Sequence, residues 1–143
     1  QIYYEYQYNK ILGIESRNLI GIGPRYKINK SDKTIFYVGS LLMQEFERTI
    51  DNIRIISYQR LSNYLSLSIK NSAKTLELTS VVYYQPNINH WEDYRLSSQT
   101  SLAFNITSKL QFVNSINYGF DSYAPTNISK QNILLSNGLK LNL

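Results

Sequence analysis

The chain has 143 residues, enough for one ordinary domain and too few for two. Charged residues make up 17%, and the Lys and Arg behind the formal charge of +5 never form a dense run, which argues against a nucleic-acid-binding domain. Cysteine is absent, excluding a disulfide framework and a cysteine metal site, and no apolar run approaches the ~18 residues of a membrane helix.

The dominant period is two, which predicts strands. Eight are predicted in chain order: 2–11, 18–28, 34–48, 53–70, 74–86, 94–106, 109–121 and 132–143. No segment sustains a 3.6-residue period over three turns. Pro24 interrupts the second strand and predicts a bulge or strand end there. The third, containing "FYVGSLLMQEF", is apolar on both parities and gives no orientation. The fourth sets Leu61, Leu65, Leu67 and Ile69 against Arg60, Ser62, Tyr64, Ser66 and Ser68. The fifth sets Leu76, Leu78, Val82 and Tyr84 against Glu77, Thr79, Tyr83 and Gln85. The sixth sets Leu96, Leu102, Phe104 and Ile106 against Arg95, Ser97, Gln99 and Asn105. The seventh sets Phe112, Ile116, Tyr118 and Phe120 against Gln111, Ser115, Asn117 and Gly119. The eighth sets Ile133, Leu135, Leu139, Leu141 and Leu143 against Ser136, Gly138, Lys140 and Asn142.

The connections sort by length. "NKSDK" (29–33), "NSAK" (71–74) and "TSK" (107–109) are tight, whereas "LGIESR" (12–17), "QPNINHWEDY" (85–94) and "DSYAPTNISKQ" (121–131) are long. The turn between the third and fourth strands centres on residues 51–52. Pro86 and Pro125 fall in long loops, where a missing N–H costs no ladder bond. Tight turns at one end and long loops at the other is how outer-membrane barrels are built.

Alternation does not say which face is enclosed. A soluble barrel would turn the leucine face inward. Three features predict the reverse. The polar faces are mostly Ser, Thr, Asn, Gln, Tyr and Gly, whereas water-facing sheets favour Lys and Glu. Leu61 to Ile69 spans ~27 Å at ~3.3 Å per residue, or ~20 Å of a ~25 Å apolar band once tilted by ~40°. Aromatics collect near strand ends: Phe104 and Phe112 flank a tight turn, and Tyr84, Trp91, Tyr118 and Phe120 lie toward the long loops. That is the arrangement of membrane-interface girdles. The fold expected is therefore an all-β, antiparallel up-and-down transmembrane β-barrel. It forms a single domain over 1–143.

The segments "IESRNLIGIGPRYKI" (14–28), "SNYLSL" (62–67), "VVYYQPNINHWEDYRL" (81–96) and "FDSYAPTN" (120–127) resemble the family known as domain of unknown function 481. That family includes the salt-induced outer-membrane proteins. The resemblance implies an outer-membrane barrel of ten or twelve strands and no particular reaction. It also implies that this chain, starting at Gln1 without a leader, is N-terminally incomplete and covers the C-terminal two-thirds of the family domain. Outer-membrane barrels commonly end on an aromatic residue, and here Leu143 stands instead.

Arg25, Arg60, Arg95, Glu5 and Glu77 fall on polar faces and are predicted to form a lumen network of ion pairs. The alternative use of the same residues is a selectivity lining. His90, the single histidine, sits beside Trp91, Glu92 and Asp93; an interfacial loop tip outweighs a general base or a metal ligand there. No catalytic residue, metal site or cofactor is predicted. The expected location is the bacterial outer membrane. The expected role is a structural or assembly subunit, or a narrow pore. The expected partners are outer-membrane lipid, lipopolysaccharide and other outer-membrane proteins of a larger complex, with no nucleic acid. The competing readings are a soluble lipocalin-like barrel carrying an apolar ligand and an outer-membrane hydrolase.

Overall fold

A computed structural model describes residues 1–10, 14–31, 33–49, 52–71, 73, 75–124 and 128–141. The strands are β1 (Ile2–Asn9), β2 (Ile14–Ile22), β3 (Arg25–Ser31), β4 (Thr34–Thr49), β5 (Asn52–Lys70), β6 (Leu76–Pro86), β7 (Tyr94–Asn105), β8 (Leu110–Asp121) and β9 (Gln131–Leu141). All neighbours pair antiparallel in one sheet of order β1-β2-β4-β5-β6-β7-β8-β9, with β3 also on β4. Among the described residues no α-helix occurs.

Nine strands stand where eight were expected, because the segment 18–28 is two. Ile22 faces Leu42 and Arg25 faces Gly39, so the register continues unbroken along β4. Between them Pro24 has no N–H to give the ladder. Gly23 runs so close to the Ser40 carbonyl that any Cβ there would collide with backbone. β2 and β3 thus form one stave with a break. β2 also begins at Ile14, so Ile14–Arg17 belong to a strand and not to the loop expected at 12–17. Pro86 ends β6 opposite Tyr94 and is not a loop residue. Pro125, Asn142 and Leu143 lie outside the described residues.

The sheet curls into a half-barrel. Arg95 on β7 reaches Glu45 on β4 at 2.6 Å, and the Tyr64 hydroxyl on β5 donates to Gln1, which leads into β1, at 2.6 Å. Each pair spans three strand steps, ~14 Å in a flat sheet at ~4.8 Å per step. Only a curled sheet brings such side chains together. β1 and β9 end the strand order, and no pairing joins them among the described residues.

The curl decides the faces. Cross-strand pairing aligns Val38, Leu65, Val82, Tyr118 and Ile133 in one convex row. Leu65 is 49% exposed, whereas Arg60 is 1% and Glu45 0% exposed. Among the described residues the enclosed apolar material is small: Ile14, and a cluster of Leu19, Leu41, Met43 and Tyr64 with Tyr3, Val81 and Tyr83 packed against it. This is inverted relative to a soluble sandwich, where apolar rows turn inward.

β4 becomes orientable only here. Leu41, Met43, Glu45 and Glu47 turn inward, while Leu42, Gln44 and Phe46 turn outward. Gly39 faces Tyr64 across the ladder, and a Cβ there would meet the Tyr64 ring, 2.7 Å from its hydroxyl. The missing side chain lets the ring lie across β4 and stack toward Tyr83 at 5.5 Å. Gly39→Val is expected to displace Tyr64 and destabilise the fold by ~1–3 kcal/mol. A urea-unfolding midpoint equal to wild type would refute that packing.

Candidate functional site: an ion-pair cluster inside the curl

Glu45 and Glu47 are two residues apart on one strand, so both carboxylates leave the same face. Three arginines converge on them. Arg17 of β2, the cross-strand partner of Glu47, lies 2.5 Å from it through Nη2 and 2.9 Å from Glu45 through Nε. Arg60 of β5 donates through Nε to Glu45 Oε2 at 2.7 Å. Arg95 of β7 spans the hollow, with Nη1 2.6 Å from Glu45 and Nη2 2.9 Å from Glu47.

A second ring of partners finishes the satisfaction of these groups. Arg60 Nη2 donates to both oxygens of Asp93 at 2.9 and 3.0 Å, and its Nη1 donates to the carbonyls of Gln85 and Asp93. Asp93 also accepts from Asn87 Nδ2 at 3.0 Å, which ties the 87–93 connection down over Arg60. Arg95 Nε donates to Asp121 at 2.8 Å, and Arg17 Nη1 to Gln7 at 2.9 Å. Three guanidiniums therefore meet four carboxylates at the long-loop end of the sheet. Taking these charges out of water is expensive, and only near-complete pairing offsets it. The guanidinium donors of the cluster are spent on its carboxylates.

Of the residues predicted for the lumen, Arg60 and Arg95 are in this cluster. Glu5 lies on the inner face of β1 and accepts from the Tyr3 hydroxyl. Arg25 places its guanidinium 3.9 Å from the centre of the Tyr37 ring, apart from the acids. Glu77 pairs with Lys70 at 3.2 Å at the tight-turn end. Sequence reasoning missed Arg17, Glu45, Glu47, Asp93 and Asp121. Arg17, Asp93 and Asp121 sat in or beside segments read as loops, and Glu45 and Glu47 in the one strand without a legible face. The spacing Glu-x-Glu was the available signal.

The aromatics fall at two levels of the convex face. Phe104 and Phe112 stack at 6.4 Å beside the tight turn. Tyr84 and Phe120 sit at the other level, joined through Tyr94 at 5.7 and 5.6 Å. Tyr118 is half-buried between Ser98 and Ile133, and Trp91 is exposed on the 87–93 connection. The His90 carbonyl accepts from the Asp93 amide, closing that turn. Among the described residues no cluster of His, Cys, Asp or Glu is placed to hold a metal ion.

The family model described as "Protein of unknown function, DUF481" matches residues 1–141. The chain belongs to the DUF481 family. The match runs over essentially the whole of this DUF481 chain and gives no support to the narrower expectation that it covers only the C-terminal two-thirds of the family domain. No curated protein and no solved structure matches it. The family carries no assigned function, so the chemistry must be read from this chain's own geometry.

Proposed function

We propose that this DUF481 protein is a β-barrel of the bacterial outer membrane, non-enzymatic, with a structural or assembly role. The observation that carries the reading is the inverted burial: an ionic cluster enclosed by the curl and leucine rows left bare outside. In water such a face is a large exposed apolar surface, an aggregation liability. Against hydrocarbon it is the stable arrangement, with lipid and lipopolysaccharide as the covering partners. The two aromatic levels on the convex face support the same orientation. An arginine–carboxylate network across the hollow suits a braced interior better than a wide channel.

A narrow pore is the second reading. A cavity of about 520 Å³ adjoins the cluster, walled by Tyr3, Tyr64, Tyr83, Gln85, Ser97 and Gln99.

The test is solubility and conductance of the purified protein. It is expected to need detergent, to insert into lipid vesicles and to resist carbonate extraction. A monodisperse, folded protein in plain buffer would overturn the membrane reading in favour of a soluble ligand-binding barrel. Planar-bilayer recordings then separate scaffold from pore: the braced interior predicts no steady conductance.

A further inference from the structure

The charges are not spread evenly along the strands. The inner row through Gly39, Tyr64, Tyr83, Ser97, Gly119 and Asn132 divides the sheet into two ends. Among the described residues, the long-loop end beyond this row carries seven cations and seven carboxylates. The row itself and the tight-turn end carry seven cations and one carboxylate, Glu77, which is already held by Lys70. The net positive charge of the chain therefore sits at the tight-turn end. Arg25, Lys27, Lys33, Lys70, Lys109 and Lys140 there are all exposed.

This basic rim adjoins the apolar surface. Lys109 lies in the turn joining the strands of the stacked Phe104 and Phe112. Lys140 is flanked along β9 by Leu139 and Leu141, both exposed on the opposite face. A lysine in a turn at the border of an apolar band, as Lys109 is, can lay its methylene stem along the band and carry the ammonium into the headgroup layer, while Lys140 adds its charge to the rim from the inner face.

We infer that the tight-turn end is a docking rim for the phosphate-bearing headgroups of anionic phospholipids. The inference rests on the outer-membrane reading and adds a lipid class and a side of the membrane to it. Electrostatics favours this occupant: among the described residues seven cations, with Arg25, Lys27, Lys70 and Lys140 on the inner parity and Lys33 and Lys109 in the turns, stand against one paired acid and attract a phosphate layer, and the stacked rings beside the rim mark the level at which that layer begins. Among the described residues the charges of the long-loop end balance, which gives that end no such preference.

The test uses the full chain inserted in phosphatidylcholine vesicles containing a trace of spin-labelled lipid. The fraction of label immobilised at the protein surface measures relative affinity. Labelled phosphatidylglycerol is expected to be preferred over labelled phosphatidylcholine by severalfold at low salt, falling toward parity in ~0.5 M NaCl as screening shortens. The triple variant Lys33→Gln, Lys109→Gln, Lys140→Gln should bring the preference close to parity, since the attraction of anionic headgroups scales with the number of basic side chains near them. The pair Lys10→Gln, Lys130→Gln at the other end should leave it intact. Equal immobilisation of both lipids by the wild type overturns the docking rim and leaves the membrane reading standing. Failure to insert into any vesicle overturns both.

Discussion

Glu45→Leu should cost ~3–5 kcal/mol of stability, the loss expected when one member of a buried charge network is removed. Glu45 is fully enclosed and accepts from Arg17, Arg60 and Arg95 together. Without it, three guanidiniums confront one another with Glu47, Asp93 and Asp121 at the periphery. The damage is repulsion and unpaired charge, more than the loss of one contact. Arg95→Met in the Glu45→Leu background removes one of the stranded charges and should recover part of the loss, because an apolar group of similar volume needs no partner. Glu45→Gln, which keeps the shape and one acceptor, should fall between wild type and Glu45→Leu. Urea midpoints in detergent micelles, with unchanged slopes, measure all three. If Glu45→Leu lies within 1 kcal/mol of wild type, the cluster does not brace the curl.

Ile116→Arg is the second large effect expected, and it separates membrane from water. Ile116 stands four residues from Phe112 and four from Phe120 on β8, midway between the aromatic levels. Phe112 to Phe120 covers ~27 Å along the strand at ~3.4 Å per residue, which in a bilayer would be ~20 Å along the membrane normal at ~40° tilt. On the membrane reading, an arginine halfway down that span would face the centre of the hydrocarbon and should destabilise by ~2–4 kcal/mol in vesicles. Leu139→Arg, opposite Phe112 at the tight-turn level, should cost only ~0–1 kcal/mol. Both positions are exposed in the isolated chain, at 43% and 67%. If the convex face met water, each change would stay within ~0.5 kcal/mol. Equal, small effects at the two depths would therefore count decisively against the bilayer. The gradient between them is the informative quantity, since a general cost of losing an apolar side chain has no depth.

Much of this architecture is legible in residue order. The alternation in 62–70 and 76–86 marks β5 and β6, and the tight turns read at 71–74 and 107–109 set the β5–β6 and β7–β8 pairings. Pro24 signals the interruption between β2 and β3, though not that the register survives it. The candidate site is only half legible. Arg60 and Arg95 stand out because each is a charge on a strand whose other face is plainly apolar. Glu45 and Glu47 do not, because Leu41, Leu42, Met43 and Phe46 occupy both parities around them and cancel the contrast. Arg17 is hidden for another reason: the strand holding it begins three residues earlier, at Ile14, just after a glycine that reads as loop.

By itself, then, the sequence determined the strands, their parity and the division between tight turns and long loops. A side-chain period of two needs only local backbone geometry. Which face is concave, and which charges meet, only the tertiary structure decided. Alternation produces two faces without a sign, and the sign comes from the curl. Arg95 lies fifty residues from Glu45 and three strand steps away. Their contact exists because eight staves bend around a common hollow, a property no stretch of the chain holds alone.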